Sequence, residues 1–150
     1  SITSTGIVSI PATTSSTSTT TGALVVSGGV GIAGALYATS KSFNIPHPTK
    51  PGKKLSYGSL EGPEFGVYVR GRLSNSDVIE LPDYWPELVD ESTITVDLTP
   101  IGRHQKLYVK AIADNTITVG NSNLLGSIDC FYTVYAERKD IDRLIVEGDE

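Results

Sequence analysis

Glu61 and Glu64, three positions apart, are the residues of this chain whose types most readily suggest catalysis. Glycoside hydrolysis needs two carboxyls facing each other across a sugar-sized gap of about 5–9 Å. Sequence spacing alone does not set that gap, and the intervening Gly62-Pro63 marks a turn in which one Glu accepts backbone amide hydrogens. A second constellation, Gly29-x-Gly31-x-x-Gly34 after Leu24-Val25-Val26-Ser27, outwardly matches the dinucleotide fingerprint. That chemistry requires a helix N-terminus facing a pyrophosphate and an acid about 20 positions on for the ribose. Here Pro46 interrupts the required helix, residues 50–58 contain no acid, and no βαβ series follows. Glycine-rich packing is the better reading.

The remaining chemistry-bearing residues read as structural. His47 sits in the stiff Pro46-His47-Pro48 segment and His104 in a Gly-Arg-His-Gln loop; neither has a second ligand at metal spacing, so no metal is expected. No Gly-x-Ser-x-Gly elbow or assignable Ser-His-Asp triad occurs. Cys130, the single cysteine, lies in an apolar strand pattern as a small hydrophobe without a disulfide partner. Tyr84 and Trp85 have rings able to stack on a sugar, but beside Leu81 and Leu88 they read as core. The chain is therefore expected to be non-enzymatic and to use no cofactor.

The elements that must position these residues are almost all strands. Lys41–Ile45 alternates, and Pro46, Pro48, Pro51 and Gly52 then interrupt. Leu55–Leu60 and Phe65–Leu73 read as strands around a Glu61-Gly62-Pro63-Glu64 corner, with clean period-two character in Val67–Arg72. Val78–Leu81 stops at Pro82, and Asp83–Asp90 suggests one or two helical turns capped by Asp83. Thr93–Leu98, Leu107–Ile112, Thr116–Val119 and Ile128–Ala136 follow as strands, with a hairpin turn at Asp114-Asn115 and a weak last strand at Arg143–Glu147. The fold class expected is all-β, with residues 43–150 forming a compact sandwich-like or barrel-like domain holding at most one short helix.

Residues 1–42 are different in kind. The first forty carry no charge, and Lys41 is the first charged residue. Residues 1–21 are Ser/Thr-rich with scattered Ile2, Ile7, Val8 and Ile10; Ala23–Val26, Val30–Ile32 and Ala35–Tyr37 are β-prone pieces separated by Gly28-Gly29 and Gly34. A helix over Ile32–Ser42 is a weak alternative, because Gly34 and the Ser/Thr content oppose it. So little large apolar surface cannot offset backbone ordering costs of roughly 1–2 kcal/mol per residue. Yet Leu24, Val25, Val26, Val30, Ile32 and Leu36 are too regular for a solvated linker. Burial shared among several copies, wound together as an intertwined stalk, satisfies both facts.

The bulk numbers agree with a small domain plus an arm. The chain has 150 residues, no Met and a net charge of −5, and the absence of Met suggests a piece of something longer. Residues 41–72 hold six Lys/Arg against Glu61 and Glu64, whereas residues 73–150 hold fifteen Asp/Glu against six Lys/Arg. Six bases without an aromatic stacking series make a poor nucleic-acid footprint, so no nucleic acid is expected. No apolar run reaches membrane-spanning length, so no membrane insertion is expected either.

Thr20-Thr21-Gly22-Ala23-Leu24-Val25-Val26-Ser27-Gly28-Gly29-Val30-Gly31-Ile32-Ala33-Gly34-Ala35-Leu36-Tyr37 resembles repeats in the tail fibres of tailed bacteriophages, notably those infecting cyanobacteria. The run from Phe43-Asn44-Ile45-Pro46-His47-Pro48 through Glu61-Gly62-Pro63-Glu64 to Val67-Tyr68-Val69-Arg70-Gly71-Arg72 is similar to a module of such fibres, as is Phe131–Asp140. The resemblance implies a homotrimer, with an intertwined stalk and a globular β region, carried on the virion and made in the host cytoplasm. It implies other virion proteins and a bacterial surface glycan or protein as partners. Pro46, His47, Pro48, Glu61, Gly62, Pro63, Glu64, Arg70 and Gly71 are then structural: Pro46 and Pro48 stiffen the start of the domain, Glu61 pairs with Arg70, and Gly62 and Gly71 permit bends.

Three readings follow. The first is a structural fibre that attaches to the host surface by multivalent contact. The second is a glycan-degrading spike using Glu61 and Glu64 in a groove. The third is an architectural collar, whisker or capsid fibre that never touches the host. Ser74–Asp77, Arg103–Lys106 and Gly120–Gly126 are loop candidates for contact, because loops carry variable surfaces.

Overall fold

A computed structural model of the chain describes residues 4–123 and 127–148. Regular structure begins with a hairpin of β1 (Ser42–Pro46) and β2 (Lys54–Gly58), followed by β3 (Gly66–Ser74) and β4 (Val78–Glu80). A one-turn helix α1 (Trp85–Leu88) and a 3-10 turn (Glu91–Thr93) lead into β5 (Thr95–Pro100), β6 (Leu107–Ala113), β7 (Thr116–Asn121) and β8 (Asp129–Glu137). Among the described residues the protein is all-β but for those two turns. Every strand pairing is antiparallel: β1 with β2, β3-β8-β5 in one three-stranded sheet, and β4-β7-β6 in another.

The two three-stranded sheets share one core. Along β3, Val67 and Leu73 are buried while Tyr68, Arg70 and Arg72 are exposed; along β8, Cys130, Val134 and Ala136 are buried. This alternation follows from the period of two in an extended chain. Ile79 of β4 and Ile117 and Val119 of β7 close the core from the second sheet. Trp85, Leu88 and Val89 fill it from the helical turn. Each such fully buried side chain contributes about 1.5–3 kcal/mol relative to exposure. Cys130 behaves as expected, fully buried and unpaired, with its thiol pushed up by burial and by neighbouring Asp129.

Local chemistry sets the connections. Asp114 and Asn115 have φ values of 51° and 57°, the left-handed pair of a two-residue hairpin turn between β6 and β7. Asn115 Nδ2 also donates to the carbonyls of Leu81 and Pro82, tying that turn to the end of β4. The register of β6 against β7 slips between Val109 and Ala111, placing Lys110 in a bulge on an edge strand. A bulge and a lysine both discourage further edge pairing.

Several expectations need correction. The helical turn is preceded by Tyr84 rather than capped by Asp83, whose carboxylate pairs with Lys50 at 2.9 Å. Leu55–Leu60 and Phe65–Leu73 do contain strands, but β2 turns back onto β1 and β3 pairs with β8. Arg143–Glu147 is not a strand; Arg143 instead reaches Asp90 and Glu137 at 3.0 and 3.2 Å. No helix forms over Ile32–Ser42. The three β-prone pieces of the arm find no strand partner among the described residues, and Leu24 and Leu36 are 64% and 67% exposed. Besides the bonds of Lys41 to Ser59 and Glu61, Lys54 Nζ donates to the Thr17 carbonyl at 2.8 Å, linking the arm to the domain. Ile2 lies outside the described residues.

Candidate functional site

The singled-out residues collect mainly around the β1–β2 hairpin and the corner that follows it. Pro46 ends β1, paired with Lys54, where its missing N–H breaks no inner ladder. The His47 backbone amide donates to the Lys53 carbonyl at 2.9 Å, and its Nδ1 accepts from the amides of Thr49 and Lys50 at 3.2 Å each. The imidazole thus organises the hairpin loop. Its ring meets Tyr84 edge-on at 5.2 Å.

That contact belongs to a clasp. Tyr57 of β2 shares a 2.8 Å hydrogen bond with the Tyr84 hydroxyl and accepts one from Trp85 Nε1 at 3.3 Å. Burial, followed by the bond to Tyr57, pushes the Tyr84 phenol well above its ordinary range. Lys50 with Asp83 adds an exposed ion pair, and Phe43 stacks on Tyr57 at 5.4 Å. Phe43 also meets Arg138, whose guanidinium carbon lies 4.1 Å from the ring centroid. Arg138 is buried and held by a fork of hydrogen bonds to Asp140 at 2.8 and 2.7 Å. The hairpin that joins the arm to the domain is therefore fixed by aromatic, hydrogen-bonding and cation–π contacts together.

Beside the clasp, a groove of about 480 Å³ is lined by Phe43, Leu60, Phe65, Ile141, Glu61 and Glu64, among others. Both candidate acids are present, but Glu61 is exposed and hydrogen-bonded to Lys41, which holds its carboxyl below the usual range. A general acid working near neutrality needs the opposite shift. The expected Glu61–Arg70 pair does not form, because Arg70 points outward from the middle of β3 on a different part of the surface.

Gly62 and Gly71 also need different accounts. Gly62 has an ordinary φ and open space around it, so no bend there depends on glycine. Gly71 lies within β3 opposite Tyr132, and a Cβ there would come within 2.5 Å of the Tyr132 hydroxyl. It admits an aromatic ring, not a bend. Gly29, Gly31 and Gly34 lie in the arm with neither a strand before them nor a helix after them, so the dinucleotide geometry is missing. Among the described residues, no group of three or more His, Cys, Asp or Glu side chains could hold a metal ion. No helix among them is long and apolar enough to cross a membrane.

Sequence reasoning missed Gln105. Its side chain is 4% exposed and pairs with the β8 backbone like an extra strand. Nε2 donates to the Asp129 carbonyl at 2.6 Å and the Ile101 carbonyl at 3.2 Å, while Oε1 accepts from the Asp129 amide at 2.9 Å. The Arg103–Lys106 loop is thus pinned at its centre. Ser74–Asp77 is exposed throughout, whereas Gly120 and Asn121 belong to β7 and residues 124–126 lie outside the described residues.

No known protein family, no curated protein and no solved structure matches this chain.

Proposed function

We propose that the chain is a non-enzymatic fibre component of a bacteriophage virion, acting as a homotrimer in attachment to the host surface. The observation that carries this reading is the arm. Residues 4–40 are uncharged and almost entirely exposed, with Leu24, Val25, Val26, Val30, Ile32 and Leu36 unburied by their own chain. Exposed apolar pieces interleaved with Gly28, Gly29, Gly31 and Gly34, which have open space around them, suit close winding against sister arms. The clasped hairpin at Ser42 would then hand the stalk over to a rigid body. Other virion proteins would hold the far end, and three identical weak contacts at the body would gain avidity from their linkage.

Glu61 is exposed and taken up by Lys41 rather than set in an enclosed cleft, which favours a binding role over hydrolysis at the corner groove. A mass measurement in solution tests the reading directly: three chains per particle are expected, and a monodisperse monomer overturns it. Soluble protein added to host cells should adsorb and block infection. Trimers that never adsorb would instead belong to a collar, whisker or capsid fibre. Release of reducing ends from host envelope polysaccharide, abolished by Glu61→Gln, would make it a glycan-degrading spike.

A further inference from the structure

The open face of the β3-β8-β5 sheet carries a second pattern, set by strand register. Tyr68 of β3, Tyr135 of β8 and Thr95 of β5 lie side by side. Two residues along, Arg70, Thr133 and Asp97 form the next row, and Arg72, Phe131 and Thr99 the row after that. Neighbouring strands are about 4.8 Å apart and alternate residues about 6.8 Å, so the nine side chains form one small grid.

Its chemistry is banded. Tyr68 and Tyr135 are tilted against each other at 5.7 Å, and Tyr68 is 42% exposed. Phe131, at 55% exposure, stands in the third row beside Arg72, whose guanidinium is neutralised by Asp129 through bonds of 2.8 and 2.7 Å. Between the aromatic rows, Arg70 and Asp97 flank the Thr133 hydroxyl, and neither makes an ion pair among the described residues. A shallow depression of about 460 Å³ opens between Arg70, Arg72, Phe131 and Thr133.

We propose that this face is a binding platform for an oligosaccharide, laid along the strands so that its rings cover Tyr68 and Phe131 while its hydroxyls meet Arg70, Thr133 and Asp97. Sugars present both surfaces this pattern asks for: apolar C–H faces for aromatic rings and a rim of hydroxyls that both donate and accept. Arg70 offers donors, Asp97 acceptors and Thr133 both. With one free charge of each sign, the platform suits a neutral glycan chain. A dry protein contact fits less well, since it would bury Asp97 in the patch, and protein interfaces are depleted of aspartate. The inference rests on the attachment reading and supplies its site and ligand class.

The test uses the full chain on an array of oligosaccharides released from bacterial lipopolysaccharides and capsules, alongside adsorption to host cells. Tyr68→Ala, Phe131→Ala and Asp97→Ala should each weaken retention roughly fivefold to tenfold. Phe131→Tyr should retain it, which keeps the test decisive if an alanine variant folds poorly. Lys110→Ala, on the other sheet, should bind as the parent does. If the parent binds and the outer-face variants bind equally well, the platform is refuted while attachment stands. If the variants change the number of chains per particle but not retention, the face is a subunit contact and the proposal fails. A parent protein that binds neither array nor cells overturns both.

Discussion

Gly71 and Tyr132 face each other across β3 and β8, and the tyrosine ring occupies the space that a Cβ at position 71 would take. The second sheet repeats the arrangement, with Tyr108 of β6 laid over its register partner Gly120 of β7. A glycine in a strand leaves backbone uncovered, and an aromatic ring across the ladder restores the lost packing. Both three-stranded sheets use the same device.

Gly71→Ala should therefore destabilise the domain by about 1–3 kcal/mol through overpacking, read as a lower denaturant midpoint with an unchanged slope. Combined with Tyr132→Ala, the two changes should be less than additive, because the second removes the ring that the added methyl strikes. Strict additivity would refute direct contact.

The aromatic clasp predicts an alkaline limb. Tyr84 has a folded pKa above its unfolded value, so the unfolded chain loses this proton first as pH rises. Its stabilisation is complete below about pH 10 and falls as pH climbs towards the raised folded value. Tyr84→Phe should flatten that limb relative to the parent. Tyr57→Phe should cost about 1–3 kcal/mol at neutral pH by leaving the Trp85 indole N–H without its acceptor.

Asp129 works in the opposite direction. Hydrogen bonding to Arg72 holds its carboxyl below the ordinary value, so this contribution is present above about pH 4 and lost as pH falls through the depressed folded value. Asp129→Asn should reduce the acid dependence of unfolding while leaving the alkaline limb unchanged. Equal acid limbs in parent and variant would count against the pair.

Gln105→Ala removes a side chain whose amide makes three backbone hydrogen bonds, two of them to Asp129. A loss of about 1–3 kcal/mol is expected, with faster amide exchange localised to Ile101–Lys106 and Asp129. Wild-type exchange rates there would show that the loop is held by something else.

If the proposed trimer is held by its arms, deleting residues 1–40 should leave a folded domain that runs as a single chain. The cut spares Lys41, whose carbonyl accepts from the Ser59 amide and whose ammonium pairs with Glu61. A truncated chain that still assembled as three would place the subunit contacts in the β domain.

Much of the strand inventory was legible because it rests on local pattern. Val67–Arg72 and the β8 segment alternate, and Asp114-Asn115 is strong turn chemistry. Pairing was not legible, since which strand meets β3 is decided by residues sixty positions away in β8. The role of Gly71 has the same origin, for only register reveals Tyr132 opposite it. A glycine inside an otherwise clean strand was the available signal, and it indicated a close approach as readily as a bend. Gln105 gave no signal: its amide looks like loop polarity until the β8 backbone is in place. Likewise Glu61 found Lys41 rather than Arg70 because β3 carries Arg70 away from the corner.

The hairpin has a mechanical consequence. Ser42 and Gly58 are register partners, so the strand arriving from the arm and the strand leaving for the body meet at the same end of the ladder. Tension along a fibre would load these rungs one after another, as in unzipping, rather than all together in shear. Opened fully, the segment would pay out roughly 50 Å of slack at about 3.3 Å per residue. In a fibre of the kind proposed, the aromatic and ionic fastenings at Tyr57, Phe43 and Lys50 would set the force at which such a joint gives way, so that it would lengthen before the body unravels.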